Sequence, residues 1–281
     1  MRFCKHPHCG FSFALLALVW LAFTLPAKDK NTETDRPAAP TFSPPGGVFT
    51  RNVSLQITST IAGGVVHYTL DGSEPLENSP VYSRPISIED TKLVRARVFV
   101  PSGNSSPVAA EVFTMLDSDL ASFSSNLPLV ILNSFGTNIQ HEHNVTGAIQ
   151  LFDPGSAGRS RLTGKTDLAS SCWVHIRGRA SLRYPKHSYS VKLLNADGDS
   201  DSRQVLGLAA DPDWVLYAPY PDKTLLRDVL AYELSRKFGY WSPGCRFVEV
   251  FVHASGAKVS RRDYVGVYVL EEKIKRGKSR I

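Results

Sequence analysis

Apolar and polar residues alternate with period two in segment after segment of this chain, and turn-forming residues separate the segments. Residues 53–57 and 65–70 show the alternation, Asp71-Gly72-Ser73 supplies a turn, and residues 81–82, 86–88, 93–100 and 108–114 continue the series. Side chains that alternate this way point to opposite faces of a strand, so one face can be buried and the other wetted. Short strands at this spacing, with almost no helical periodicity between them, predict an all-β sandwich over residues 40–115. This region carries five Lys and Arg against six Asp and Glu. It offers no nucleophile with a base and no set of metal ligands.

The stretch before it is organised differently. Arg2 and Lys5 precede an apolar run over residues 11–25, and Leu25-Pro26-Ala27 offers a small-residue cleavage site. These are the three parts of a secretory signal peptide, and the run is shorter than the ~20 apolar residues a bilayer span needs. Residues 1–27 are therefore read as a signal peptide and 28–39 as a linker. The expectation is a secreted protein, extracellular or in the periplasm or cell envelope, with no membrane span after cleavage. Cys172 and Cys245 would remain, and a disulfide or two buried free thiols both fit the sequence. A composition of 42% hydrophobic and 21% charged residues over 281 positions excludes disorder, collagen-like repeats and a coiled coil.

A Ser- and Asp-rich linker, 116–126, leads to a second domain over 127–281, which holds 22 Lys and Arg against 15 Asp and Glu. A basic surface suits nucleic acid, anionic lipid or phosphorylated ligands; export and the lack of a run alternating aromatic with basic residues argue against nucleic acid, and nucleotide phosphates stay open. Residues 129–132, 148–152, 172–176, 188–194, 247–252 and 264–270 read as strands. One helix is predicted over 224–238, where Leu225, Leu226, Val229, Leu230 and Leu234 form a single apolar face. Asp222 or Thr224 caps its start and Gly239 ends it. Arg227 borders the apolar face and is expected to be partly buried, whereas Asp228 is expected in solvent. Strands with a helix make an α+β domain.

Several motif-like stretches carry no chemistry. Residues 158–166 end in Gly164-Lys165-Thr166, but the first glycine of a phosphate-binding loop is displaced and no amphipathic helix follows. Asp197, Asp199 and Asp201 begin like a calcium loop, yet Ser202 and Leu208 stand where Gly and Glu are needed. His141 and His143 have no zinc-ligand spacing. The informative stretch runs from Arg177-Gly178-Arg179 through Tyr184-Pro185-Lys186 to Val191-Lys192-Leu193. A strand, a basic turn and a returning strand make a hairpin whose backbone N–H groups, with Arg177 and Lys186, can hold phosphate oxygens. Lys192 alternates with apolar neighbours and faces either solvent or a cleft. Glu271-Glu272 at a strand end can pair with Arg or hold a metal.

The first domain resembles the C-terminal domain of chitobiase and β-hexosaminidase. The resemblance rests on Pro40-Thr41-Phe42-Ser43-Pro44 and on His67-Tyr68-Thr69-Leu70-Asp71-Gly72-Ser73-Glu74-Pro75. It implies an immunoglobulin-like sandwich that acts as a spacer or, as the weaker reading, contacts carbohydrate. Tyr68, Tyr82 and Phe99 are expected in its core. The second domain resembles the CotH kinase family. Arg177-Gly178-Arg179, Tyr184-Pro185-Lys186, Asp222-Lys223, Leu226-Arg227, Gly266-Val267-Tyr268 and Glu272-Lys273-Ile274-Lys275 carry that resemblance in this order.

That resemblance implies an atypical protein kinase, transferring the ATP γ-phosphate to Ser or Thr of a protein substrate with Mg²⁺ or Mn²⁺. Lys192 and Glu272 would be catalytic; Arg177, Lys186, Lys192, Asp222 and Arg227 would bind or organise the nucleotide. No metal ligand is assigned, because a kinase keeps its metal-binding Asp in a later lobe. Ile281 lies 11 residues past Leu270, so the kinase-like domain is expected to be incomplete. The alternative is a non-catalytic extracellular binding or structural protein, recognising a cell-surface partner through both modules.

Overall fold

The computed structural model describes residues 37–277 apart from Ser102 and Asn104. The signal-peptide expectation lies outside the described residues. The first domain contributes β1 (Thr41–Ser43), β2 (Gly47–Phe49), β3 (Val53–Thr58), β4 (Val65–Thr69), β5 (Ile86–Ile88), β6 (Lys92–Phe99) and β7 (Ala109–Met115). They form two sheets, ordered β1-β3-β5 and β2-β7-β6-β4. The period-two reading holds in β3, where Val53, Leu55 and Ile57 are buried and meet Val94, Phe113 and Met115 of the other sheet. Each such side chain contributes about 1.5–3 kcal/mol by leaving water. Tyr68 and Tyr82 pack against this core, and Phe99 lies edge-on to His67. Residues 81–82 make only an isolated bridge to His67 rather than a strand.

The second domain contains β8 (Ser124–Ser125), β9 (Leu129–Asn133), β10 (Val145–Phe152), β11 (Ser160–Arg161), β12 (Leu168–Arg177), β13 (Ser188–Leu194), β14 (Asp213–Tyr217), α1 (Arg227–Lys237), β15 (Cys245–His253) and β16 (Tyr264–Glu272). Seven of these strands close a barrel in the order β10-β12-β13-β14-β16-β15-β9. Its neighbours are antiparallel except β15 and β9, which run parallel and pair Glu249 with Leu129 through His253 with Asn133. Val174, Val191, Trp214, Leu216, Val250 and Tyr268 fill the interior. The α+β expectation thus resolves into a closed barrel and, among the described residues, one α-helix.

The two domains are packed together. Leu116, Leu120, Ile131, Phe251 and Val259 form one cluster across the seam. Thr114 Oγ1 donates to Gln150 Oε1 at 2.5 Å, and Arg95 Nη2 donates to the Ala196 carbonyl at 2.7 Å. The 116–126 segment, expected as a linker, is therefore partly buried in that seam.

The helix departs most from expectation. Its stop at Gly239 is as read, but α1 begins at Arg227 rather than 224: Leu225 stands at φ 62°, Leu226 makes no side-chain cap bond, and Asp222 holds the approach to the helix by accepting from the Thr224 and Arg227 N–H groups. Gly239, at φ 83°, closes a Schellman motif in which Gly239 N donates to Arg236 O and Tyr240 N to Ser235 O. Its apolar stripe, however, faces solvent: Leu226, Leu230, Leu234 and Phe238 are 53%, 57%, 43% and 74% exposed. The half-buried positions of α1 are Asp228, Val229, Tyr232, Ser235 and Arg236, a mainly polar face turned inward that includes Val229 of the expected apolar set. Arg236 fixes that face by donating to the Pro243 carbonyl and to Ser242. Arg227 is consequently 80% exposed rather than partly buried, and Asp228 is not in open solvent.

Cys172 and Cys245 are both free and buried. Cys172 belongs to the barrel core, and burial raises its thiol pKa far above the usual range. Cys245 sits across the wall on β15, next to Glu271.

Candidate functional site

The barrel wall is one strand thick, so the side chains that alternate with its core residues form an outer face. Strand register sorts that face into rungs. Arg177 lies beside Ser188, and Tyr217 beside Val269. The next rung runs His175, Ser190, Val215, Glu271, Cys245 across five strands. The third carries Trp173, Lys192 and Asp213. Successive rungs stand about 7 Å apart along a strand.

Helix α1 lies over the first two rungs and encloses a cleft of about 250 Å³. Arg177 from β12, Tyr217 from β14, Glu271 from β16, and Asp228 and Tyr232 from α1 line it. The β12–β13 hairpin forms its rim. There Gly178 has φ 109°, and a Cβ at that position would collide with Ser181 Oγ. His141 Nε2 donates to the Gly178 carbonyl at 2.7 Å and ties the rim down.

Glu271 dominates the electrostatics. It is 7% exposed, and its Oε1 has no hydrogen-bond partner among the described residues. Burial, with a smaller push from the Asp228 charge, raises its carboxyl from 4.5 to about 7, and Arg177 opposes the shift. Burial first, and then the neighbouring Asp228 carboxylate, push the Tyr217 phenol's pKa well up. Tyr232 is raised to about 12, by burial and then by the charges of Glu271 and Asp228. A guanidinium and two carboxylates in a recess suit a ligand that carries both signs. A bare phosphate would meet Arg177 favourably but both carboxylates unfavourably, so it would need a cation between.

Of the residues expected from sequence, the structure brings only Arg177 into this cleft. Lys186 donates to the Val267 carbonyl at 2.5 Å and lies 4.3 Å from the Tyr268 ring centre, with burial lowering its pKa. It braces the hairpin against β16. Lys192 shares the outer face but stands on the third rung, 5.5 Å from the Trp173 ring centre. Asp222 is buried as the helix-start acceptor, and Arg227 extends into solvent 3.5 Å from it. Glu272 points to the other side of β16. Its Oε2 accepts from Gly244 N at 2.9 Å and its Oε1 from Ala209 N at 3.3 Å. Glu272 thereby pins two loops at the barrel end.

Sequence reasoning named Glu271 beside Glu272 as a possible partner of Arg or a metal but took Glu272 as the catalytic residue; it missed Tyr217 and Tyr232, and placed Asp228 in solvent. One signal was available. Asp228, Tyr232 and Arg236 recur every four residues along α1, which is a helix face as regular as the leucine stripe.

Residues 174–280 match the family model described as CotH kinase protein, and residues 44–110 match that of the Chitobiase/beta-hexosaminidase C-terminal domain. No curated protein matches the chain. The first match begins within β12 and takes in the hairpin, Lys192, the helix and both glutamates. No described helix is long and apolar enough to cross a membrane.

Proposed function

We propose that this chain is an exported, CotH-type atypical kinase component, which handles ATP for phosphoryl transfer to a Ser or Thr hydroxyl of a protein. The observation that carries the reading is the outer-face cleft, with Arg177 opposite Glu271 and Asp228, inside the segment that matches the CotH kinase model. Its residues fit the implied group in one respect: the orphaned Glu271 Oε1 and the adjacent Asp228 are oxygen donors of the kind that hold Mg²⁺ or Mn²⁺ beside phosphate. A recess of about 250 Å³ falls below the ~300–1,000 Å³ of complete small-molecule sites. It holds the phosphate end, and the nucleoside extends beyond it.

In this reading Arg177 holds phosphate oxygens through its planar donor fork. Lys192 receives the phosphate chain one rung beyond Glu271. Lys186 and Glu272 act by bracing the rim and the barrel end, and Asp222 by fixing the start of the helix that carries Asp228. Bound Mg²⁺–ATP would supply the transferable phosphoryl group: the acceptor oxygen would bond to the γ-phosphorus as the bond to the β–γ bridging oxygen breaks, the hydroxyl proton would pass to solvent and ADP would leave. The chain's own contribution is position and charge. The sandwich serves as a spacer, which suits its tight packing on the barrel.

A second reading, a non-catalytic binding protein, is favoured by the exposed stripe of Leu226, Leu230, Leu234 and Phe238, since contiguous apolar patches mark interaction sites. One thermal-shift experiment separates the two. ATP with Mg²⁺ or Mn²⁺ is expected to raise the melting temperature by mass action, and Arg177→Ala and Lys192→Met are expected to abolish the rise. An unchanged melting temperature at millimolar ATP, with either metal, selects the binding protein.

A further inference from the structure

We propose that Glu271 and Asp228 together form a divalent-cation site on the outer wall of the barrel. This inference deepens the kinase-type reading and rests on it only for the phosphate that completes the coordination.

The first support is a polar atom without a partner. Glu271 is more than nine-tenths buried and lines the cleft, yet its Oε1 has no hydrogen bond among the described residues. Buried polar atoms are nearly always paired, and an exception calls for a proton, a water or an ion. The second support is a neighbouring carboxylate. Asp228 lines the same cleft and is half-buried there although it grows from α1. A strand and a helix thus each contribute one oxygen ligand to the same recess.

The third support is the chemistry of the surrounding donors. Tyr217, Tyr232, Ser181 and Ser188 present oxygen, and no nitrogen or sulfur ligand lines the cleft. Oxygen-only surroundings select the hard cations Mg²⁺ and Mn²⁺ over zinc or copper. Among the described residues no group of three or more His, Cys, Asp or Glu is placed to hold a metal. Two carboxylates, Glu271 and Asp228, line this cleft beside the Arg177 guanidinium. That number suits Mg²⁺ or Mn²⁺, which keep several waters and take their remaining ligands from phosphate. Arg177 lines the same recess and faces the anion that follows the cation in.

The test uses Mn²⁺ alone, titrated into the full chain and read by the loss of the free-ion electron-paramagnetic-resonance signal, then repeated with ATP. One bound Mn²⁺ is expected, with weak affinity that tightens at least tenfold when ATP is present. Glu271→Gln and Asp228→Asn are each expected to weaken Mn²⁺ binding at least tenfold. Glu77→Gln, in the first domain, leaves it unchanged. Circular-dichroism melts of each variant confirm that the fold persists. Binding that survives Glu271→Gln, or no binding up to millimolar Mn²⁺ with and without ATP, overturns the site. Mn²⁺ binding without any effect of ATP keeps the site and removes the kinase reading. ATP binding indifferent to both carboxylates keeps the kinase reading and removes the site.

Discussion

Replacing Glu271 by glutamine tests the environment on which the site depends. The side chain keeps its size and loses its charge, so the perturbation is electrostatic. Burial holds the folded carboxyl at about 7 against an ordinary 4.5. At about 1.4 kcal/mol per pH unit of displacement, the ionised group destabilises the fold by roughly 3 kcal/mol. The sign follows from proton counting. Below pH 4.5 both states keep the proton and the group contributes no slope. Between 4.5 and 7 the unfolded chain has lost the proton while the folded chain retains it, so stability falls as pH rises. Above 7 both are ionised and the full cost is present. The groups facing Glu271 are Arg177 from β12, Tyr217 from β14, Asp228 and Tyr232 from α1, and Cys245 from β15. They are common to both proteins, so the difference between the two isolates position 271. Denaturant melts of wild type and Glu271→Gln, from pH 4 to 9 with a chelator present, should give curves that diverge between 4.5 and 7. The variant is expected to gain roughly 3 kcal/mol above pH 7 relative to its offset at pH 4. Parallel curves would refute the buried, unpartnered carboxylate.

Glu272 should respond in the opposite direction: Glu272→Ala removes the acceptor for the Gly244 and Ala209 N–H groups and is expected to cost about 1–3 kcal/mol at neutral pH by the same melts. Gly178→Ala places a side chain at φ 109° against Ser181. It is expected to cost about 1–3 kcal/mol and to weaken ATP binding, measured by thermal shift, through displacement of the Arg177 rim. Leu230→Ser and Phe238→Ser lie on the exposed stripe and should change stability by less than about 0.5 kcal/mol, whereas Leu216→Ala in the barrel core should cost about 2–5 kcal/mol.

The strands were legible wherever one face is wet. In β3 the polar residues alternate with Val53, Leu55 and Ile57, and the period survives in the structure. The barrel wall gives a weaker signal. On β16 both Val269 and Leu270 are buried, so the sequence offers no contrast to say whether Glu271 or Glu272 faces inward. Barrel closure was invisible for another reason: it depends on β9 meeting β15 in parallel, more than a hundred residues later, and local periodicity holds no information about that pairing. The helix misled because its most regular hydrophobic stripe is the one it exposes. Its anchorage comes instead from Arg236 to the Ser242–Pro243 backbone and from Ser242 Oγ to the Tyr232 carbonyl, polar bonds that a hydrophobic pattern cannot register. The chemistry of the cleft was half legible: Arg177 stood out in a basic hairpin, but its carboxylate partners lie 51 and 94 positions away in the sequence.

Calorimetric titration of Mg²⁺–ATP into the full chain and into Arg177→Ala and Glu271→Gln tests the central claim most directly. The account requires saturable binding to the wild type that is lost in Arg177→Ala and weakened at least tenfold in Glu271→Gln, with both variants folded. Binding of equal strength in all three would place the nucleotide elsewhere, and no binding to the wild type would contradict the nucleotide-handling role itself.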